Sequence, residues 1–331
     1  MFKRLENVKG ELDKLRDKGL ERGAYIGFSW EYLPYSVLLG STTYIGAAPA
    51  SGKTEFWFEI LINLSHIHGW NHVIFSPETG DAKDIFAELC HKYTGKRYIK
   101  GENAMTENER VTAEYFINEH FFVIDPEDQD LTVEEFYKQV DKIERDCEVK
   151  IHTTTIDPWN ELSEKFKPED LGREDKYLSR ILGYTRKNAR TKNRHNCIIT
   201  HVRDQSAITK DGVTYYPAPS ARDLAGGQVW FRKGFCVLTL WRPPAGIIEN
   251  GTEPYKANEL HVRIAKSKPK GVSKNGVYKM YLDTENYQYY YLDYWQNKVY
   301  SDRNNHLKPK KEEEENDFYN FNSLNDHQVP F

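Results

Sequence analysis

The chain has 331 residues, a formal net charge of −4 and 39% hydrophobic residues, enough for one large or two small globular cores. Six acidic residues and no Lys or Arg fall between Glu312 and Phe331, so the remainder carries +2 and any basic surface must be local. No apolar run approaches the roughly 18 residues a membrane span needs, and "MFKRLENVKG" has charge without the apolar stretch of a signal peptide, so a soluble cytoplasmic protein with no membrane partner is expected.

Residues 2–22 place Leu5, Val8, Leu12 and Leu15 at three- and four-residue steps between charges, a thin apolar stripe on a charged helix. Residues 1–22 read as a linker helix, either lying on its own domain or docking on a neighbouring subunit. From residue 42 strands and helices alternate. "TTYIGA" predicts a strand, followed by a glycine-containing turn and the helix "KTEFWFEILINLSHIHG" closing at Gly69. "NHVIFSPE" is the next strand, then the helix "DAKDIFAELCHKYTG". The strands "HFFVID" and "KIHTTTID" flank the helix "TVEEFYKQVDKIERD", and "KYLSRILGYTRKNARTKN" leads as a helix into the strand "NCIITHV". "GFCVLTLW" and "LHVRIAKS" follow as strands. Short apolar strands bounded by helices predict an α/β fold with a mostly parallel sheet covered on both faces. "GVYKMYLDTENYQYYYL" alternates about a turn and predicts an antiparallel hairpin at the sheet edge. The core is expected to span residues 23–300, and residues 301–331 to be a disordered acidic tail. Cys90, Cys147, Cys197 and Cys236 lack metal-ligand spacing and read as four buried thiols of a reducing compartment.

The stretch "GAAPASGKT", from Gly46 to Thr54, fits the phosphate-binding pattern G-x-x-x-x-G-K-[ST] at Gly52, Lys53 and Thr54, with Ala47 where the first glycine belongs. Alanine adds one methyl group, tolerable if φ stays negative there, and Gly46 is expected to share the turn. In a strand–loop–helix setting, the backbone of Gly46, Ala47, Ala48, Pro49, Ala50, Ser51 and Gly52 would cradle the phosphates of ATP. Lys53 would reach the β- and γ-phosphates, and Thr54 would offer its hydroxyl to Mg²⁺. Asp157, after the β-favouring run "TTTI", is the second metal carboxylate, and Glu78, ending "HVIFSPE", is the candidate for orienting the attacking water.

In order along the chain, "GAAPASGKTEF", "IFSPETG", "TIDPWNEL", "IITHVRD", "PAPSARDLAGG", "LTLWR" and "AKSKPKG" resemble the ring helicases of the RecA-like class, which include DnaB, Twinkle and phage primase–helicases. The resemblance covers about residues 22–295 and is strongest to the Twinkle-like branch. It implies a RecA-like core that translocates on single-stranded DNA and separates duplexes as a homo-oligomeric ring, with six subunits expected by analogy. It further implies that His201 acts as a γ-phosphate sensor. Arg222, Gly226, Gly227, Arg232 and Lys233 would lie in or beside the DNA-contacting loop, where the cations meet phosphates of one strand. Lys266 and Lys268 stand where DnaB-like proteins have K-x-R reaching into the next subunit's site. A lysine at 268 lacks the planar fork of an arginine finger, and Arg242 in "TLWRPP" is a candidate to supply one. These motifs do not specify the base, so ATP and dTTP are both allowed. The two lysines also fit a filament-forming recombinase, and Ala47 allows a nucleotide-binding scaffold without turnover. "YQYYYLDYW" reads as edge packing, with base stacking the alternative. The tail, ending Val329-Pro330-Phe331, resembles acidic tails that dock on replication partners.

Overall fold

The computed structural model describes residues 2–19, 22–125, 131–248 and 253–303. A 3₁₀ turn, Leu5–Val8, enters helix α1 (Lys9–Lys18), which buries no residue. Leu5, Leu12 and Leu15 are exposed at 69%, 40% and 43%, so the stripe does not pack on the chain's own core. Strands β1 (Ala24–Tyr25) and β2 (Ser36–Val37) then pair antiparallel. The alternating series follows as β3 (Thr42–Ala47), α2 (Lys53–His68), β4 (His72–Phe75), α3 (Ala82–Thr94), α4 (Glu107–His120), β5 (Phe121–Val123), α5 (Val133–Asp146), β6 (Thr153–Ile156), α6 (Glu174–Lys192) and β7 (His195–His201). A small hairpin, β8 (Ile208–Lys210) and β9 (Val213–Tyr215), precedes α7 (Gln228–Lys233) and β10 (Cys236–Trp241). The chain ends its regular structure with β11 (Glu259–Lys266), β12 (Gly276–Leu282), β13 (Tyr289–Leu292) and β14 (Lys298–Tyr300).

One ten-stranded sheet runs in the order β14-β13-β12-β11-β10-β3-β7-β6-β4-β5. From β10 to β5 every neighbour is parallel, and from β10 to β14 every neighbour is antiparallel. Two apolar layers cover its faces. Ile45 and Ala47 point into a layer with α2, α3 and α4, while Tyr44 points into the other with α5, α6 and Trp230 of α7. Helix α2 is buried from Phe56 through Ser65, which suits a helix apolar around most of its circumference. By contrast, α5 buries Val133, Phe136, Tyr137 and Val140, one stripe of an amphipathic helix.

β11 is antiparallel to β10, with Trp241 opposite His261. Three expectations are corrected. The β12–β13 hairpin does not form the edge, since β14 pairs outside it. Cys147 is exposed at the charged C-terminal end of α5, while the other three thiols are buried. Ser301 and Arg303, expected in the tail, are buried. Residues 304–331, including Val329-Pro330-Phe331, lie outside the described residues.

Arg303 closes a buried ionic cluster over α2. Its guanidinium contacts Glu59 at 3.3 Å and Asn63 Oδ1 at 3.0 Å. The fully buried Lys92 of α3 reaches Glu55 at 2.8 Å and Glu59 at 3.8 Å, with its ammonium 5.0 Å from the centre of the Tyr289 ring. Two carboxylates on the apolar helix α2 are tolerable only because two buried cations face them.

Candidate active site

The parallel strands end together, and that shared C-terminal edge gathers the candidate residues. Ala47 is the last residue of β3, paired with His201 on one side and Leu240 on the other. Its φ is not positive; the left-handed positions are Ala50 (φ 57°) and Gly52 (φ 77°). The exchange at 47 therefore carries no backbone strain. Gly46 does not share the turn, which corrects its expected role: it lies within β3, where an added Cβ would come 2.6 Å from both Cδ1 and Cγ of Leu224. At Gly52 a Cβ would sit 3.0 Å from the Tyr289 hydroxyl and 3.5 Å from Arg242 Nη2. The loop is thus shaped by its own dihedrals and by side chains from distant strands.

Lys53 opens α2 nearly buried, and its Nζ lies 3.5 Å from Glu78 Oε2 and 3.4 Å from His201 Nδ1. His201 Nε2 is also 3.5 Å from Glu78 Oε2, so the three groups form a triangle. Glu78 stands three residues beyond β4, in a turn, rather than ending the strand. Burial, and then the Lys53 charge, hold the His201 imidazole below its usual value. The Thr54 hydroxyl donates to Asp157 Oδ2 at 2.5 Å. Asp157 is fully buried just past β6, and its carboxyl is pushed up to about 6 by burial, against the lowering effect of Thr54 and Lys53. Its other oxygen, Oδ1, is buried without a hydrogen-bond partner.

Backbone contacts tie this edge to the next segment. The amide of Val202 donates to Ala47 O at 3.3 Å, that of Ala225 to His201 O at 3.0 Å, and that of Arg203 to Asp223 O at 2.8 Å. Leu224 is fully buried against Gly46. Gly226 (φ 85°) and Gly227 (φ 75°) then turn the chain into α7, and a Cβ at Gly226 would meet Leu178 Cδ2 at 2.6 Å. Arg222 and Arg232 are exposed and Lys233 is half-buried, around α7 rather than beside the phosphate loop.

Lys266 and Lys268 lie at the opposite edge. Lys266 pairs with Val237, which pairs with Tyr44, three residues before Ala47. That separation is about 10 Å along the strands and about 10 Å across them, so neither side chain reaches its own phosphate loop. The Lys266 ammonium donates to the carbonyls of Phe231 and Arg232 at the end of α7, whereas Lys268 is exposed. Arg242 lies against Gly52 of the same chain, next to Tyr289, whose hydroxyl burial pushes up to about 12. The aromatic run divides: Tyr289, Tyr290 and Tyr291 are buried, while Tyr294 and Trp295 are exposed at 84% and 77%. Sequence reasoning missed Leu224 as the neighbour of Gly46 and Tyr289 as the neighbour of Gly52, and no local signal marks either.

This strand–loop–helix at the parallel edge of such a sheet belongs to a RecA-like fold, the fold of DnaB-like replicative helicase domains. The chain is similar to the structure described as the ATPase domain of G40P, with a TM-score of 0.67 and 16% identity over 88% of this chain and all of that one. It is also similar to a DnaB-like replicative helicase solved for its interactions with primase, with a TM-score of 0.65 and 18% identity over 87% of this chain and 68% of the other. The Twinkle homolog protein, chloroplastic/mitochondrial, of Arabidopsis thaliana is 27% identical over 233 residues, 67% of this chain. The chain spans 31% of that relative's length. No protein-family model matches it.

Proposed function

We propose that the chain is the motor of a replicative-type DNA helicase, which hydrolyses a nucleoside triphosphate with Mg²⁺, moves on single-stranded DNA and works as a closed homo-oligomeric ring. The observation carrying this reading is the backbone link from the Lys53–Glu78–His201 triangle to the Asp223–Gly227 segment, through which the state of the phosphate site reaches a loop flanked by cations.

In this reading the loop from Ala48 to Gly52 and the start of α2 hold the phosphates, and Lys53 neutralises their charge. Thr54 and Asp157 fit Mg²⁺, because Asp157 Oδ1 is buried without a hydrogen-bond partner. The described residues hold no group of three or more His, Cys, Asp or Glu able to bind a metal. That suits an ion drawing most of its ligands from phosphate and water. Bound there, the ion would neutralise developing charge on the phosphate oxygens. Glu78, half-exposed beside Lys53, orients the attacking water and accepts its proton. His201 reports on the γ-phosphate through its carbonyl bond to Ala225. Arg242 serves its own chain's nucleotide, and Lys268, exposed and without a carboxylate partner among the described residues, serves a neighbour's site. Docking of replication proteins on the tail belongs to the same proposal.

The test is unwinding of a forked duplex with nucleotide turnover measured with and without single-stranded DNA. Wild type is expected to unwind and to show stimulated turnover, and Lys53→Ala to do neither. Absence of unwinding by assembled wild-type protein refutes the helicase reading.

A further inference from the structure

From the geometry we infer that Arg186 and Arg190, braced on Phe235, form with Lys266 and Lys268 a cationic face that receives the triphosphate-loaded edge of a second copy of this chain. The inference rests on the ring reading above and adds α6 to the contact.

Arg186 and Arg190 lie one turn apart on α6, and both guanidiniums stand over the Phe235 ring, 5.1 and 5.3 Å from its centre. Stacking on a half-buried ring fixes the planes of two forks that would otherwise swing freely. The Lys266 ammonium shares the neighbourhood: burial, then Lys268 and Arg186, hold it below its usual value. Among the described residues no carboxylate pairs with any of these four cations, although arginines on either side along the chain are paired. Arg180 contacts Asp170 at 2.8 Å, and Arg194 contacts Asp141 at 2.8 Å. Arg186 Nε is moreover buried with no hydrogen-bond partner. Like charges one helical turn apart destabilise a helix, so an unpaired cluster of this kind fits an anion from outside the chain.

The cluster belongs to the edge of the sheet opposite the phosphate loop. The Phe235 amide donates to Thr42 Oγ1 at 3.4 Å, where β3 begins, and Lys266 is level with Val237 at the start of β10. At the other edge Lys53 lies against Glu78 and Asp157, and Arg242 lies against Gly52, so two cations and two carboxylates stand there before any triphosphate is bound. Mg²⁺ offsets only part of a triphosphate's charge, which leaves the loaded edge negative. Two edges of one sheet with opposite sign favour head-to-tail contact, the heterologous arrangement that makes a ring where its rotation closes. Exposed Phe231 and Val277, on a groove of about 330 Å³ shared with Arg222 and Arg263, add the apolar area expected at a protein contact rather than at a strand of DNA.

The experiment compares wild type, Arg186→Gln/Arg190→Gln and Arg186→Lys/Arg190→Lys by analytical ultracentrifugation with Mg²⁺ and a non-hydrolysable ATP analogue. Fluorescent-nucleotide binding at high dilution and affinity for oligo-dT are measured alongside. The Gln variant is expected to need about tenfold more protein to assemble. Its nucleotide affinity and urea midpoint should match wild type, and the Lys variant should recover part of the loss. Assembly of the Gln variant at wild-type concentration overturns the inference alone. Intact assembly with weakened oligo-dT binding overturns it in favour of DNA phosphates. A wild type that stays monomeric overturns both it and the ring reading.

Discussion

Gly46→Ala inserts one methyl group between the phosphate-loop strand and the segment that His201 contacts. The new Cβ would lie 2.6 Å from Cδ1 and from Cγ of Leu224 and 3.4 Å from Cδ2. Carbon pairs pack at about 3.5–4.0 Å, so two contacts overlap by roughly 1 Å. Leu224 is fully buried beside Tyr44 and Trp230, and its neighbour Ala225 is bonded to His201, so it cannot move aside without dragging that bond. Overpacking of this kind destabilises by about 1–3 kcal/mol. Leu224→Ala alone leaves a cavity and destabilises by about 2–5 kcal/mol. In the double variant the added methyl occupies space that Leu224 vacated, so its loss should fall short of the sum by at least about 1 kcal/mol. Urea unfolding of the four proteins measures this coupling. The Gly46→Ala protein should also bind nucleotide while losing most DNA stimulation of turnover. Losses that add to within about 0.5 kcal/mol would refute the contact as the link between strand and segment.

Two further outcomes are expected. His195 is buried with Nδ1 2.9 Å from Leu38 O, and burial pushes its imidazole down from 6.5 to about 4. The unfolded chain therefore binds a proton that the folded one refuses, so this stability is fully present above pH 6.5 and is lost as pH falls toward 4. The loss reaches about 2 kcal/mol at pH 5, and the gap between wild type and His195→Asn in urea should shrink by that amount between pH 7 and pH 5; a constant gap would contradict the assignment. Lys92→Met strips the cation from Glu55 and Glu59 and should destabilise by about 3–5 kcal/mol. Adding Glu55→Gln, which leaves Glu59 to pair with Arg303, should restore part of it, and a single-variant loss under about 1 kcal/mol in the same assay would argue that the cluster is not ionic.

Much of this organisation is written locally. The strand–loop–helix around Lys53 is legible because an apolar run, a G-K-T and a nearly continuous apolar helix occur in succession, and α3, α5 and α6 show their faces by period alone. Two elements were legible and overlooked. α4 begins with the capping box of Thr106 and Glu109, and the β8–β9 hairpin turns at Asp211-Gly212, both with positive φ. Periodicity reports which face of an element is buried but not what lies against it. The direction of β11, Leu224 against Gly46, Arg242 and Tyr289 against Gly52, and Arg186 and Arg190 on Phe235 join residues far apart in the chain, so tertiary packing alone decided them. The same division governs charge. Sequence alone counted the cations, whereas packing paired Lys92 with Glu55 and, among the described residues, left Arg186, Arg190, Lys266 and Lys268 without carboxylate partners, because pairing depends on distance in space.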